Sequence, residues 1–138
     1  DIYVIEDRVT GICREDHDIR LYYNFAFGHL DGENGKFDYT SQKGRGYTMT
    51  VQADKKLDFE ILEGSEDPIG GWISYGYAWR KPIPQLIAKH SGKAPIHFIT
   101  VLAPEKTKAE TAINGDAAMV TLAGGKVLTL TENAVELH

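Results

Sequence analysis

The chain reads as an all-β protein, an antiparallel β-sandwich closed by a C-terminal β-meander. Three observations predict this. Apolar and polar residues alternate with a period of two in one segment after another. Turn-forming residues interrupt those segments at short intervals. No stretch sustains a helical period. The longest helical candidate is Lys106 to Ile113, and the Thr, Ala and Ile at its end suit a strand as well. Many short strands with regularly spaced turns belong to sandwiches and barrels.

Taken in order, Ile2-Tyr-Val-Ile5 is a nearly continuous apolar run, which predicts a central strand covered on both faces. Thr10-Gly11 ends it. Ile19 to Phe27 places apolar residues at odd positions, the pattern of a half-buried strand. Turns follow at Asp31-Gly-Glu-Asn-Gly35 and Lys43-Gly-Arg-Gly46. Tyr47 to Ala53 alternates in the same way, as does Leu57-Asp-Phe59-Glu-Ile61 after the Ala53-Asp-Lys-Lys56 turn. Glu63 to Gly71 is the longest predicted loop. Trp72 to Trp79 is read as an aromatic strand, and Ser91-Gly-Lys93 as a turn. Ile96 to Ala103 is a second continuous apolar run and predicts a second central strand.

After the Pro104-Glu-Lys106 turn, the last third is a meander. Thr107 to Ile113 turns at Asn114-Gly-Asp116 into Ala117 to Ala123. Gly124-Gly125, a pair suited to positive φ, then leads to Val127 to Leu130, and Asn133 to Leu137 closes the chain. The predicted organisation is a sandwich region over 1–103 with the meander of 104–138 packed on it, one domain overall. There is no internal repeat and no low-complexity tract.

Length and composition bound the function. The chain has 138 residues, enough for one domain with a sizeable core. No run of about 20 apolar residues is present, so no transmembrane helix and no membrane partner are expected. The net charge is −5, which argues against nucleic acid and against this chain being the main grip on a polyanion. A local cationic patch around Arg80 and Lys81 stands apart from that balance. The single cysteine, Cys13, excludes an internal disulfide. It falls in the turn region from Gly11 to Asp18 and is read as a small, semi-buried side chain, with nothing to activate it as a nucleophile.

Among the five histidines, no pair has the spacing of a structural zinc site. His29 and Asp31 could put two ligands on one side of a strand end, but a polar pair flanking a turn is the ordinary reading. His97 lies inside an apolar strand and is read as a core histidine bonded to backbone or water. Asp58 and Glu60 alternate with Leu57, Phe59 and Ile61, so they read as a solvated strand face. A glycosidase pair would need one acid buried enough to raise its pKa.

The richest segment is Gly70 to Leu86, with Trp72, Tyr75, Tyr77 and Trp79 followed by Arg80 and Lys81. Aromatic faces stack on the C–H face of a pyranose, and cations pair with carboxylate or sulfate. Trp and Tyr also fill strand faces in all-β cores, so both readings stand. In one regular strand Tyr75, Tyr77 and Trp79 would share a face, with Trp72 opposite.

The order of these pieces resembles the C-terminal β region of the heparinase II/III-like polysaccharide lyases. Trp72-Ile-Ser, Tyr75-Gly76, Lys81-Pro-Ile-Pro84 and the apolar Ile96 to Leu102 carry the resemblance. So do the start, Asp1-Ile-Tyr-Val-Ile-Glu-Asp-Arg-Val-Thr-Gly11, and Phe27-Gly-His29-Leu30. It spans most of residues 1–103. In that family the His-rich metal site and the acid/base residues lie upstream, and none of those motifs is present here. The resemblance thus implies a fragment without catalytic residues, metal or cofactor of its own, a metal being expected only in the upstream part. It implies two partners, the upstream catalytic domain of the same chain and an acidic polysaccharide. It also implies a periplasmic or secreted parent. With it, Trp72 and Tyr75 become framework positions. Trp79 and Arg80, with Tyr77 and Lys81, become the expected sugar contacts. A stand-alone carbohydrate-binding sandwich and a purely structural domain are the alternatives.

Overall fold

The computed structural model describes residues 1–11 and 14–138. The reading of Cys13 lies outside the described residues. Among those residues every regular element is a strand, and no helix is long and apolar enough to cross a membrane. The strands are β1 (Tyr3–Val9), β2 (His17–Asn24), β3 (Gly28–Glu33), β4 (Lys36–Ser41), β5 (Gly46–Ala53), β6 (Asp58–Glu63), β7 (Ser65–Glu66) and β8 (Ile69–Gly70). They continue with β9 (Trp72–Gly76), β10 (Trp79–Pro82), β11 (Pro84–Gly92), β12 (Ile96–Pro104), β13 (Ala109–Asn114), β14 (Ala117–Leu122), β15 (Val127–Thr131) and β16 (Ala134–Leu137).

Three antiparallel sheets make the body. The central one has five strands in the order β1-β12-β5-β4-β3. A three-stranded sheet, β2-β11-β6, covers one of its faces, and the meander β13-β14-β15-β16 covers part of the other. The alternation read from the sequence explains both contacts. Phe37, Met49 and Val51 of the central sheet meet Leu86 and Ala88 of β11, with Leu21, Tyr23 and Phe59 packed around them. On the opposite face, Ile99 and Val101 meet Ala118, Val120 and Leu130 of the meander.

Strand β12 belongs to both cores, because successive side chains leave a strand on opposite faces. Its near-continuous apolar run is therefore a strand covered on both sides, as its sequence predicted. The Tyr23 hydroxyl bonds Thr100 at 2.7 Å across the sandwich, and burial pushes the Tyr23 phenol above its ordinary range. Burial raises the Tyr39 phenol in the same way, and its hydroxyl donates to the carbonyls of Ala26 and Phe27.

Two expectations are corrected. The apolar run Ile2–Ile5 is not a central strand. It opens β1, which lies at the edge of the five-stranded sheet, where Tyr3 and Ile5 are exposed. The three-stranded sheet is narrower than the sheet it covers, so β1 overhangs it and only its Val4 face meets the meander core. The predicted loop of 63–71 also contains structure, the short β7–β8 hairpin. The meander matches its predicted boundaries to within two residues.

Candidate functional site

Residues 64–83 form an excursion between β6 and β11, with two small hairpins, β7–β8 and β9–β10. Gly71 makes the excursion close. Its φ is +71°, and a Cβ there would stand 2.6 Å from the Leu62 carbonyl oxygen and 2.7 Å from the Glu63 Cα. Its carbonyl accepts from the amides of Gly64 (2.9 Å) and Ile83 (2.8 Å), which clamps both ends of the excursion together.

The aromatic segment is not the single strand its alternation suggested. It folds back at Tyr77-Ala78, where Ala78 takes φ +55°, and Trp79 pairs with Gly76. The Ser74 hydroxyl lies 2.6 Å from the Trp79 carbonyl and 2.9 Å from that of Gly76, holding the turn. Local hydrogen bonding by Ser at a turn competes with the extended ladder. Period-two parity does not carry through a reversal of this kind.

The hairpin sorts its aromatics and cations into two groups. Trp72 is half-buried, and its indole N–H donates to the Ser65 carbonyl at 2.8 Å. The Arg80 guanidinium sits 4.1 Å from the centroid of the Trp72 ring and pairs with the Glu66 carboxylate at 2.5 Å. In the other group, Tyr75 and Trp79 stack with ring centroids 5.4 Å apart, and the Lys81 ammonium lies 5.4 Å from the Trp79 centroid. Tyr77 at the tip is fully exposed, and Trp79 retains 36 % exposure. A shallow depression lined by Ser74, Ala78, Trp79 and Arg80 lies beside the stack.

Of the expected contact residues, Trp79, Tyr77 and Lys81 are presented outward, and Trp72 is the structural aromatic. Tyr75 is a correction. It was read as framework, yet it is exposed and forms half of the stack. Arg80 is exposed but already engaged by a ring and a carboxylate. Only the fold-back, which no residue spacing announces, decides these pairings.

The other predicted positions are accounted for as follows. His29 and Asp31 form an exposed pair at 3.5 Å. Asp58 is exposed, whereas Glu60 is half-buried against Lys89 on the outer face of the three-stranded sheet. His97 is buried, 5 % exposed, but its partner is a carboxylate, Glu6 at 2.7 Å, and its Nδ1 has no hydrogen-bond partner among the described residues. Glu6 also accepts from Arg8 at 2.8 Å, and Arg8 reaches the Asp116 carbonyl at 2.7 Å. Among the described residues no group of three or more His, Cys, Asp or Glu could hold a metal ion.

The chain superposes over 99 % of its length on a solved structure of a heparinase III gene product, with a TM-score of 0.66 and 13 % identity. It has a heparinase-like fold. At that identity the likeness concerns fold alone, and the chain spans about a fifth of that protein, 21 % of its length. No family model and no curated protein matches the sequence.

Proposed function

We propose that this chain is a non-catalytic accessory β region of a heparinase-like polysaccharide lyase, one that degrades uronic-acid-containing polysaccharide by β-elimination. The observation that carries the reading is the fit of nearly the whole chain onto about a fifth of heparinase III. The order of the aromatic, Lys-Pro and apolar segments supports it independently. β-Elimination needs a group that neutralises the uronate carboxylate, a base for the C5 proton and an acid for the leaving oxygen. In this reading those groups, and any metal ion, reside upstream in a periplasmic or secreted parent. This region completes the sandwich and buttresses the catalytic domain. The isolated chain is expected to show no turnover of heparan sulfate, alginate or chondroitin, followed by the absorbance of the unsaturated uronate. Turnover that survives chelator and repurification would overturn the reading.

The exposed hairpin favours a second, compatible role in carbohydrate contact. Tyr75, Tyr77 and Trp79 offer ring faces and Lys81 an ammonium group, with Arg80 held beside them by Trp72 and Glu66. Such a site would bind weakly, with Kd on the order of millimolar to high micromolar. Trp79→Ala should abolish oligosaccharide-induced NMR shifts in residues 72–81 while costing no more than about 1–2 kcal/mol of stability, less than a buried aromatic. Sugar-induced shifts that persist in the variant would remove Trp79 from the platform.

A further inference from the structure

The meander covers only part of the central sheet, and a polar groove remains between the uncovered strands and the segment leading into β13. Two adjoining depressions of about 400 and 350 Å³ share Asp38 and Thr48 and together form it. Because Phe37, Tyr39 and Met49 point into the sandwich core, the alternate residues Lys36, Asp38, Thr48 and Thr50 face the groove. The far wall is the connecting segment from Glu105 to Glu110. Binding sites occur preferentially at junctions of this kind between packed units.

The groove's charge differs from that of the chain. Lys36, Lys106 and Lys108 line it, and none makes an ion pair within 4.0 Å among the described residues. Asp38, Glu105 and Glu110 are the acids along it. The turn joining β4 to β5 adds Lys43 and Arg45, so five cations stand against three carboxylates in a chain of net charge −5. On the aromatic hairpin, by contrast, Arg80 is neutralised by Glu66.

We infer that this groove is a second glycan-contact site, one that takes an anionic, hydroxyl-rich sugar chain through its unpaired lysines and threonine hydroxyls. The inference rests on the accessory-region reading for the ligand class, and on the groove alone for the place. The ammonium groups meet carboxylate or sulfate, and the Thr48 and Thr50 hydroxyls and the Asp38 carboxylate serve ring hydroxyls. No aromatic stacking is required, so this site depends on salt more steeply than the hairpin does.

The test is an NMR titration of the isotopically labelled chain at low salt. One arm uses a sulfated heparan oligosaccharide, the other an unsulfated oligouronate. Amide shifts are expected in residues 36–50 and 104–110. The double variant Lys106→Gln with Lys108→Gln should weaken binding about tenfold, and Lys126→Gln, outside the groove, by no more than about twofold. Shifts in both arms would make carboxylate the recognised anion. Shifts in the sulfated arm alone would make it sulfate, and either result supports the site. Shifts confined to 72–81 would overturn this site and leave the accessory-region reading standing. No shift in either arm would overturn the site and remove sugar contact from the region, while the lyase assay would still judge the accessory role separately.

Discussion

Phe98→Ala should destabilise the chain by about 3–5 kcal/mol, the cost of emptying a fully packed aromatic site. Phe98 is 0 % exposed and sits in β12, between β1 and β5. On the next positions of the same strand, Ile99 and Val101 anchor the meander. A cavity beneath this strand therefore weakens the support of both cores, and urea unfolding should shift as one transition. A loss under about 1 kcal/mol would mean that the site collapses without strain. A separate second transition would mean that the meander is an independent unit and not part of one domain.

The second large effect is expected at Glu6. Its carboxylate accepts from Arg8 and pairs with the buried His97 ring, while Arg8 in turn holds the Asp116 carbonyl in the β13–β14 turn. The Asp54 carboxylate fixes the same histidine from the backbone side, accepting from its amide at 3.0 Å. Glu6→Ala would leave both ring nitrogens of His97 without partners and Arg8 without its carboxylate. Stranding buried polar groups costs far more than the net worth of the bonds they made. Glu6 and Arg8 are partly solvated, so the expected loss is about 2–3 kcal/mol, below that of a fully buried pair. The amides around Asp116 should also lose hydrogen-exchange protection, since the turn loses its tie to β1. Thermal denaturation of Glu6→Ala and Glu6→Gln checks this. Equal loss in both would show that charge is what matters, whereas retention in Glu6→Gln would show that hydrogen bonding suffices. A loss below about 0.5 kcal/mol in Glu6→Ala would sink the account.

Several elements were legible in the residues. The alternation of Tyr47 to Ala53 became β5, and the apolar run Ile96 to Ala103 became the one strand buried on both faces. The turns at Gly115 and Gly124-Gly125 fall where the glycines stand, each with positive φ. Other elements were not legible. Strand β11, the centre of the three-stranded sheet, lies behind Pro82 and Pro84, residues that normally mark the end of a ladder. Pro84 begins that strand rather than interrupting it, which is the position where a missing N–H does no harm. Strand β4 was hidden between two glycine-rich turns.

What the sequence determined by itself is whatever depends on one side-chain period: the all-β class, the strand faces, the meander and the identity of β12 as the shared strand. A residue's alternation states that it has an inner and an outer face. It does not state which other strand, if any, covers that face. Tertiary structure alone decided that β1 hangs over the rim of a narrower sheet, so its apolar run stays partly wet. It also decided that the aromatic segment reverses at Tyr77-Ala78, stacking Tyr75 on Trp79 and placing Arg80 between Trp72 and Glu66. The physical reason is common to both cases. Coverage and cation pairing arise between segments distant in sequence, such as Glu6 with His97 or Lys36 with Lys108 across the groove. Periodicity reports only the direction in which each segment points before those contacts form.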